Sequence, residues 1–248
     1  LLSSLDEIAW MLNVRGCDID YNPLVISYLL VSQDSVKWFV RKPSYSYDPD
    51  TEDSFAEVVA DGVEVEDYDS VFYALSDFTQ ETEAVNIFID PSTLNCNVYT
   101  YIKDSYPEGC VICGTSPVIL EKSVRTASEI EHLRQTFIDD GVAMECFLHW
   151  LEGEVSSGRE VSEWEASEKL TSFREVIPGY RGNSFENISA YGPSAALPHY
   201  STPEEGSAVI RPGGLYLVDS GCQYLTGTTD ITRTIPMGEC SDLEKEDY

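Results

Sequence analysis

Two short apolar segments, each with an aspartate at its boundary, constrain the fold more than any other part of the sequence. Leu215–Val218 has the composition of a strand, and Ile231–Ile235 is a second strand candidate. Asp219 ends the first segment and Asp230 begins the second, with the turn-forming Gly227 between them. If the two strands pair as a hairpin, both carboxylates lie at the same end of one sheet.

Two adjacent carboxylates need compensation, because like charges held together cannot both remain ionised cheaply. A proton, a cation or a metal can provide it. Hard carboxylate oxygens suit Mn²⁺, Mg²⁺ or Zn²⁺, and two such ions can activate a water molecule. Two alternatives stay open from the residues alone. An aspartate before Ser-Gly can simply cap a turn, and the same pattern occurs in aspartic proteases, although those need a second such loop.

Capping motifs predict two helices upstream of these strands. Thr126-x-x-Glu129 and the apolar spacing after it predict a long amphipathic helix over about 127–152. A second capping motif at Ser162 predicts another helix ending near Glu175. His132 and His149 lie too far apart along the first helix to share one metal.

The first third of the chain alternates short apolar segments with turns, which predicts a mixed α/β unit. Val36, Trp38 and Val40 have the period of a strand, and Val85–Ile89 is a candidate for a mostly buried strand. The acidic segment 48–69 is interpreted as a solvated, partly flexible insertion.

The composition disfavours several classes of function. The net charge of −29 repels phosphate backbones, so we expect no nucleic-acid partner. No segment approaches the roughly 18 apolar residues that cross a bilayer, and no signal peptide is evident at the start of the chain. The seven scattered cysteines favour a reducing compartment, so we expect a cytoplasmic protein without a membrane partner. The lone motif Cys110-x-x-Cys113 lacks the further ligands of a zinc site.

A resemblance to a known family follows from several segments taken together. They are Asp6–Trp10, Arg15–Gly16, Asn22–Pro23, Glu129–Glu131, Trp150–Glu152, Ser184–Phe185, Ile188–Pro193, Ala195–Tyr200, Gly214–Tyr224 and Gly227–Thr234. The chain resembles aminopeptidase P, the Xaa-Pro aminopeptidase of the "pita-bread" metallopeptidases, in its three-domain eukaryotic cytosolic type. The resemblance is weak over residues 42–117.

The resemblance implies an α/β (α+β) fold with two parts. Residues 1–120 would form a creatinase-like N-terminal or middle domain, incomplete at its start. Residues 121–248 would form the first half of a pita-bread catalytic domain. The implied enzyme is a metal-dependent aminopeptidase that releases the N-terminal residue from peptides with proline at position two. Family members are often homodimers.

The resemblance also assigns roles to three residues. Asp219 matches a ligand of one metal ion and Asp230 matches the ligand that bridges both ions. The implied cofactor is a pair of Mn²⁺ ions, with Zn²⁺ as the alternative. His199 matches a catalytic histidine of the substrate pocket, a task that suits an imidazole.

The chain also departs from the family pattern. The family supplies one more histidine and two glutamates as ligands, and no histidine follows His199 here. The acidic residues near the end are not assigned as ligands; they are Glu239, Asp242, Glu244, Glu246 and Asp247. We therefore expect a truncated site that binds Mn²⁺ poorly and turns over no substrate alone. Asn187 stands where related sequences often have threonine.

Two alternative functions stay open. Some pita-bread relatives have lost catalysis and act as protein-interaction modules. Another pita-bread hydrolase, such as a prolidase or a creatinase, is the second alternative, which the segment from Asp6 to Pro23 disfavours.

Overall fold

The computed structural model describes residues 1–41, 62–80 and 86–247 of the chain. It divides into two compact units, Leu1–Arg125 and Thr126–Tyr248. Helices and strands occur in both units, so the α/β class expected from the sequence is confirmed. None of the helices in the described ranges is both long enough and apolar enough to cross a bilayer.

The first unit contains four α-helices and five strands within its described residues. They are α1 (Leu5–Leu12), β1 (Ser27–Val31), β2 (Val36–Val40), β3 (Val63–Asp67), α2 (Val71–Gln80), β4 (Ile87–Ile89), α3 (Cys96–Ser105), β5 (Val111–Cys113) and α4 (Pro117–Ser123). A 3-10 turn at Tyr68–Ser70 joins β3 to α2.

A three-stranded sheet in the order β1-β2-β3 organises this first unit. Leu29, Trp38 and Val40 are buried on the face that also buries Ile8 of α1. The opposite face belongs to a second core that includes Phe39. Each large apolar side chain buried in this way contributes roughly 1.5–3 kcal/mol. Burial on both faces explains why β1 is a nearly continuous apolar run.

One expectation about the acidic segment 48–69 is wrong for the part that the structure describes. Val63–Asp67 is not a solvated insertion but strand β3, which pairs in parallel with β2. Its valines alternate with acids, so Val63 and Val65 pack against the core while Glu64 is exposed. Residues 48–61 lie outside the described ranges, as does Val85 of the strand expected over Val85–Ile89.

The second unit contains the predicted helices and strands. They are α5 (Ala127–Ser156), β6 (Val161–Ser162), α6 (Glu163–Glu175), β7 (Tyr180–Asn183), β8 (Ile188–Tyr191), β9 (Val209–Ile210), β10 (Leu215–Ser220), β11 (Cys222–Tyr224), β12 (Gly227–Thr228), β13 (Ile231–Pro236) and α7 (Asp242–Asp247). A short 3-10 helix, Gly192–Ala196, follows β8.

Helix α5 begins as predicted and runs four residues further than expected. The side chains of Thr126 and Glu129 form the capping box, with each bonded to the other residue's backbone N–H. Its buried residues recur at helical spacing, and they include Met144, Phe147 and Leu151.

Helices α5 and α6 cover one face of a sheet in the order β13-β10-β8. Tyr216 and Val218 of β10 are fully buried on that face. The alternate residues Leu215, Leu217 and Asp219 point to the other, outward face and are only partly buried. The outward face is therefore the one that carries the first of the two aspartates.

Candidate metal site

The register of β10 and β13 places the two aspartates close together. The strands are antiparallel, with Asp219 opposite Thr232 and Ser220 opposite Ile231. Asp230 precedes Ile231, so the period of two puts it on the same face as Thr232 and Asp219. Diagonal neighbours of this kind lie roughly 7–8 Å apart at their Cα atoms.

A network of hydrogen bonds fixes the backbone between the two aspartates. The Ser184 N–H donates to the Gly221 carbonyl at 2.9 Å, and the Ser184 hydroxyl donates to the Thr229 carbonyl at 3.0 Å. Cys222 and Thr229 bond to each other twice, through N–H to carbonyl at 2.9 Å and N–H to hydroxyl at 3.0 Å. Ser184 therefore ties together the residues that follow Asp219 and precede Asp230.

Gly221 is required by this close approach of backbone segments. A Cβ atom at that position would lie well inside van der Waals contact with the Thr229 carbonyl and the Ser184 hydroxyl. Its φ is not in the left-handed region, so space rather than conformational freedom demands a glycine here.

The two carboxylates fit a hard divalent cation as ligands. Asp219 is partly buried and Asp230 is exposed, and both offer oxygen donors of the kind that Mn²⁺ and Mg²⁺ prefer. The Thr232 hydroxyl donates to Asp219 Oδ1 at 2.8 Å, which orients that carboxylate in the way that outer hydrogen bonds orient metal ligands. Over residues 1–41, 62–80 and 86–247, no cluster of three or more His, Cys, Asp or Glu side chains has metal-binding geometry.

An apolar pocket of about 320 Å³ lies at the Leu215 end of β10, which is the end opposite to Asp219. Its lining combines Leu215 and Thr234 of the sheet with Glu244 and Lys245 of α7. Leu215 and Thr234 have the same alternation as Asp219 and Thr232, so the pocket and the carboxylates share one surface.

His199 lies outside the sheet, on the loop that follows β8. It is exposed, and its φ of 56° is in the left-handed region. The structure thus brings Asp219 and Asp230 onto one face and puts His199 on a separate loop. Thr202 connects this loop to β8. Its hydroxyl accepts a hydrogen bond from the N–H of Ser189 and donates one to the carbonyl of Ser189, each at 3.1 Å.

Sequence reasoning missed a buried acid and a buried ion pair in the second unit. Glu163, the first residue of α6, is fully buried and accepts hydrogen bonds from three separate residues. Asp140 and Arg174 form a buried ion pair between α5 and α6, with Nε to Oδ1 at 2.8 Å. Tyr224 of β11 donates to the same carboxylate at 2.7 Å. No local signal distinguishes these residues from ordinary exposed helix charges.

Comparison with known proteins gives two family matches. Residues 1–129 match the Creatinase/Prolidase N-terminal domain, and residues 131–248 match Metallopeptidase family M24. The chain is 37% identical over 251 residues to Xaa-Pro aminopeptidase ApepP of Drosophila melanogaster. That alignment covers 100% of this chain and 39% of the fly protein, so the chain spans about two fifths of that relative.

Solved structures give the same result. The X-prolyl aminopeptidase of Caenorhabditis elegans, described as a cytosolic enzyme with a di-nuclear active site, superposes with a TM-score of 0.85 at 31% identity. The superposition covers 96% of this chain and 38% of that one. A Xaa-Pro dipeptidase from Bacillus anthracis gives a TM-score of 0.68 at 25% identity, over 97% of this chain and 61% of the other.

Proposed function

Because this chain belongs to the Creatinase/Prolidase N-terminal domain family and, over its second unit, to metallopeptidase family M24, we propose that it is part of an Xaa-Pro aminopeptidase. Such an enzyme removes the N-terminal residue from peptides with proline at position two. The observation that carries the proposal is the placement of Asp219 and Asp230 on one outward sheet face. The similarity to the fly and nematode enzymes supports the substrate class.

The two aspartates hold a pair of divalent cations in this proposal. Asp219 would hold one ion and Asp230 would be shared by both, with Mn²⁺ as the preferred metal and Zn²⁺ as the alternative. When bound, the ions supply Lewis-acid polarisation and lower the pKa of water. Thr232 holds the Asp219 carboxylate in place through its hydroxyl.

His199 contacts the peptide near the bond that is cleaved. An imidazole can donate or accept a hydrogen bond near neutral pH, and the exposed loop position lets substrate reach it. A dedicated site is needed because proline has no N–H and a fixed φ.

The proposal also covers the domains, the location and the oligomeric state of the protein. The first unit is a creatinase-like domain and the second is part of a pita-bread catalytic domain. We propose a cytoplasmic location, supported by the seven cysteines and by the cytosolic C. elegans relative. A homodimer is expected from the family, and light scattering after size exclusion tests it.

Metal binding tests the roles of the two aspartates directly. Mn²⁺ is titrated into the natural polypeptide that carries residues 1–248, while free Mn²⁺ is followed by electron paramagnetic resonance. Asp219→Asn and Asp230→Asn should each weaken binding on the order of tenfold or more, because each removes a charged ligand. Asp104→Asn, at an exposed position of the first unit, is the matched control and should leave affinity unchanged. Unchanged affinity in either site variant contradicts the assignment.

Substrate choice separates the aminopeptidase from its alternatives. The natural polypeptide that carries residues 1–248 is assayed with Mn²⁺ against a tripeptide with proline second, the same tripeptide with alanine second, and an Xaa-Pro dipeptide. We expect cleavage of the proline tripeptide alone. Preference for the dipeptide favours a prolidase-like hydrolase, and cleavage of none favours a protein-interaction module.

A further inference from the structure

Glu163 is a fully buried acid at the start of α6. Its Oε1 accepts the N–H of Tyr191 at 2.7 Å. Its Oε2 accepts the hydroxyl of Tyr200 at 2.9 Å and the N–H of Ala208 at 3.0 Å. One carboxylate therefore binds three points that are distant in sequence.

These three points are the two ends and the middle of one loop. Tyr191 is the last residue of β8, and Ala208 lies directly before β9. The backbone N–H of Glu163 also donates to the Ala208 carbonyl at 2.9 Å, so the far end of the loop is held twice. Glu163 therefore binds both ends of the segment between Tyr191 and Ala208. It binds the middle of that segment through the side chain of Tyr200.

His199 immediately precedes Tyr200 and is thereby placed beside this anchor. Thr202 supplies a second anchor, because its hydroxyl forms hydrogen bonds with both the N–H and the carbonyl of Ser189. Ser189 pairs with Val218, the neighbour of Asp219 in β10. The loop that carries His199 is thus fixed to the strand adjacent to the one that carries the first aspartate.

Helix formation does not account for Glu163. Ser162 already caps α6, since its hydroxyl accepts the N–H of Glu165 at 3.1 Å. Among the residues that the structure describes, none of the salt bridges involves Glu163. Burying a carboxylate is costly unless hydrogen bonds satisfy it, and here they come from the loop.

We propose that Glu163, acting through the hydroxyl of Tyr200, is a positioning residue for His199. The inference rests on the proposed function, in which His199 contacts the substrate. The carboxylate fixes the tyrosine, and the tyrosine fixes the adjacent backbone on which the imidazole is carried. The left-handed φ of 56° at His199 fits this account, because surrounding contacts must maintain a conformation that few side chains adopt.

The protonation of Tyr200 agrees with its task as a donor. Burial raises the pKa of the Tyr200 hydroxyl above its ordinary value; a hydrogen bond with Ser194 lowers that pKa, and the hydrogen bond to Glu163 raises it. The hydroxyl therefore stays protonated at neutral pH and keeps its proton available to the carboxylate.

The test compares two tyrosine variants that each lose one hydroxyl. Tyr200→Phe removes the hydrogen bond to Glu163 and leaves that carboxylate with its two backbone donors, so folding should survive. Tyr180→Phe is the matched control, because its hydroxyl donates to a side-chain oxygen of the same unit, Asn183 Oδ1, at 3.3 Å. Both are read first by NMR of the histidine rings, of which the chain has three.

We expect Tyr200→Phe to shift the His199 ring signals and to increase their fast motion, while the signals of His132 and His149 stay in place. Tyr180→Phe should leave all three unchanged. In the natural polypeptide, Tyr200→Phe should lower kcat/KM for the proline tripeptide about tenfold, mainly through kcat, because the misplaced group acts at the reacting bond.

The inference is overturned if the His199 signals do not change in Tyr200→Phe, or if Tyr180→Phe changes them equally. If the Glu163→Gln variant folds, it should show the same selective shift of the His199 ring signals as Tyr200→Phe. If that variant does not fold, the result for Tyr200→Phe decides the question. The NMR result does not depend on activity. Absence of peptidase activity with a selective His199 shift would therefore reject the proposed function and keep the positioning role.

Discussion

At the scale of single residues, the thiol of Cys222 shows how burial fixes a protonation state. Cys222 is fully buried, and desolvation is the main cause that raises its pKa from 9.0 to about 11. Asn183 Oδ1 accepts the thiol proton at 3.4 Å. Because the folded pKa lies above the unfolded value, this group stabilises the fold fully below pH 9 and loses that contribution as the pH rises to 11.

Replacing Cys222 by the similarly sized valine should remove this pH dependence. Between pH 9 and 11, we expect the free energy of unfolding to fall by up to about 2 kcal/mol more in the unaltered protein than in Cys222→Val. Urea unfolding followed by tryptophan fluorescence measures the difference. Cys113→Val, at an exposed thiol, should follow the unaltered protein. Parallel alkaline profiles for all three proteins would contradict the prediction.

At the scale of elements, a buried ion pair joins two helices and a strand. Arg174 of α6 contacts Asp140 of α5 through two nitrogens, at 2.8 and 3.0 Å, and neither side chain is more than 2% exposed. Tyr224 of β11 donates to the same carboxylate. Removing one partner of such a pair leaves an uncompensated buried charge.

Arg174→Met or Asp140→Leu alone should therefore destabilise the second unit by about 3–5 kcal/mol. The double variant should cost clearly less than the sum, because it buries no lone charge. Denaturant unfolding measures all three. Arg134→Met is the control, since its ion pair with Glu131 is 72% exposed on both sides and should contribute at most about 1 kcal/mol. Strict additivity of the two buried changes would refute the coupling.

The close approach of the backbone at Gly221, between β10 and β13, leads to a second prediction at this scale. Gly221→Ala would force the Thr229 and Ser184 segments apart, so we expect both lower stability and weaker Mn²⁺ binding. Gly141→Ala in α5 is the matched change, because a Cβ there meets nothing within 4 Å. That control should stabilise the helix by about 0.5–1 kcal/mol and leave metal affinity unaltered. Thermal unfolding and the Mn²⁺ titration distinguish the two, and normal metal affinity in Gly221→Ala would be the contrary result.

The elements that the sequence predicted are those with local signals. The capping box at Thr126 and the apolar spacing after it fix the start of α5, and a second cap starts α6 at Glu163. The paired strands β10 and β13 followed from two apolar runs and a turn. The acids of β3 suggest a solvated insertion, whereas its pairing with β2 depends on residues far away in sequence.

The candidate site was predictable only in part, for the same physical reason. Asp219 and Asp230 each adjoin one of the two apolar runs, so hairpin pairing alone is enough to expect them together. Glu163 and Arg174 look like ordinary helix charges, and only partners from other elements reveal that they are buried. Long-range hydrogen bonds of this kind leave no periodic trace in a single sequence.

At the scale of the whole molecule, the large negative net charge should affect the stability of the fold. The net charge is −29, and like charges on a folded surface repel one another more strongly than in the expanded chain. At an ionic strength of 0.1 M, added salt screens the repulsion between exposed charges that are more than roughly 10 Å apart. Stability should therefore rise with ionic strength.

We expect the melting temperature at pH 7 to increase by several degrees between about 0.02 and about 0.5 M NaCl. Differential scanning fluorimetry measures it. The same salt step near pH 4.5 should give a smaller rise, because part of the carboxylates is then protonated. A melting temperature that is independent of salt at pH 7 would show that self-repulsion is unimportant.

The position of Thr126 has a consequence for how this architecture can be passed on. Thr126 is the cap of α5 and also the first residue of the second unit. The second unit therefore carries its own starting signal, and all residues proposed to hold metal or substrate lie beyond it. A lineage can exchange the first unit for a different domain and still inherit all of these residues together.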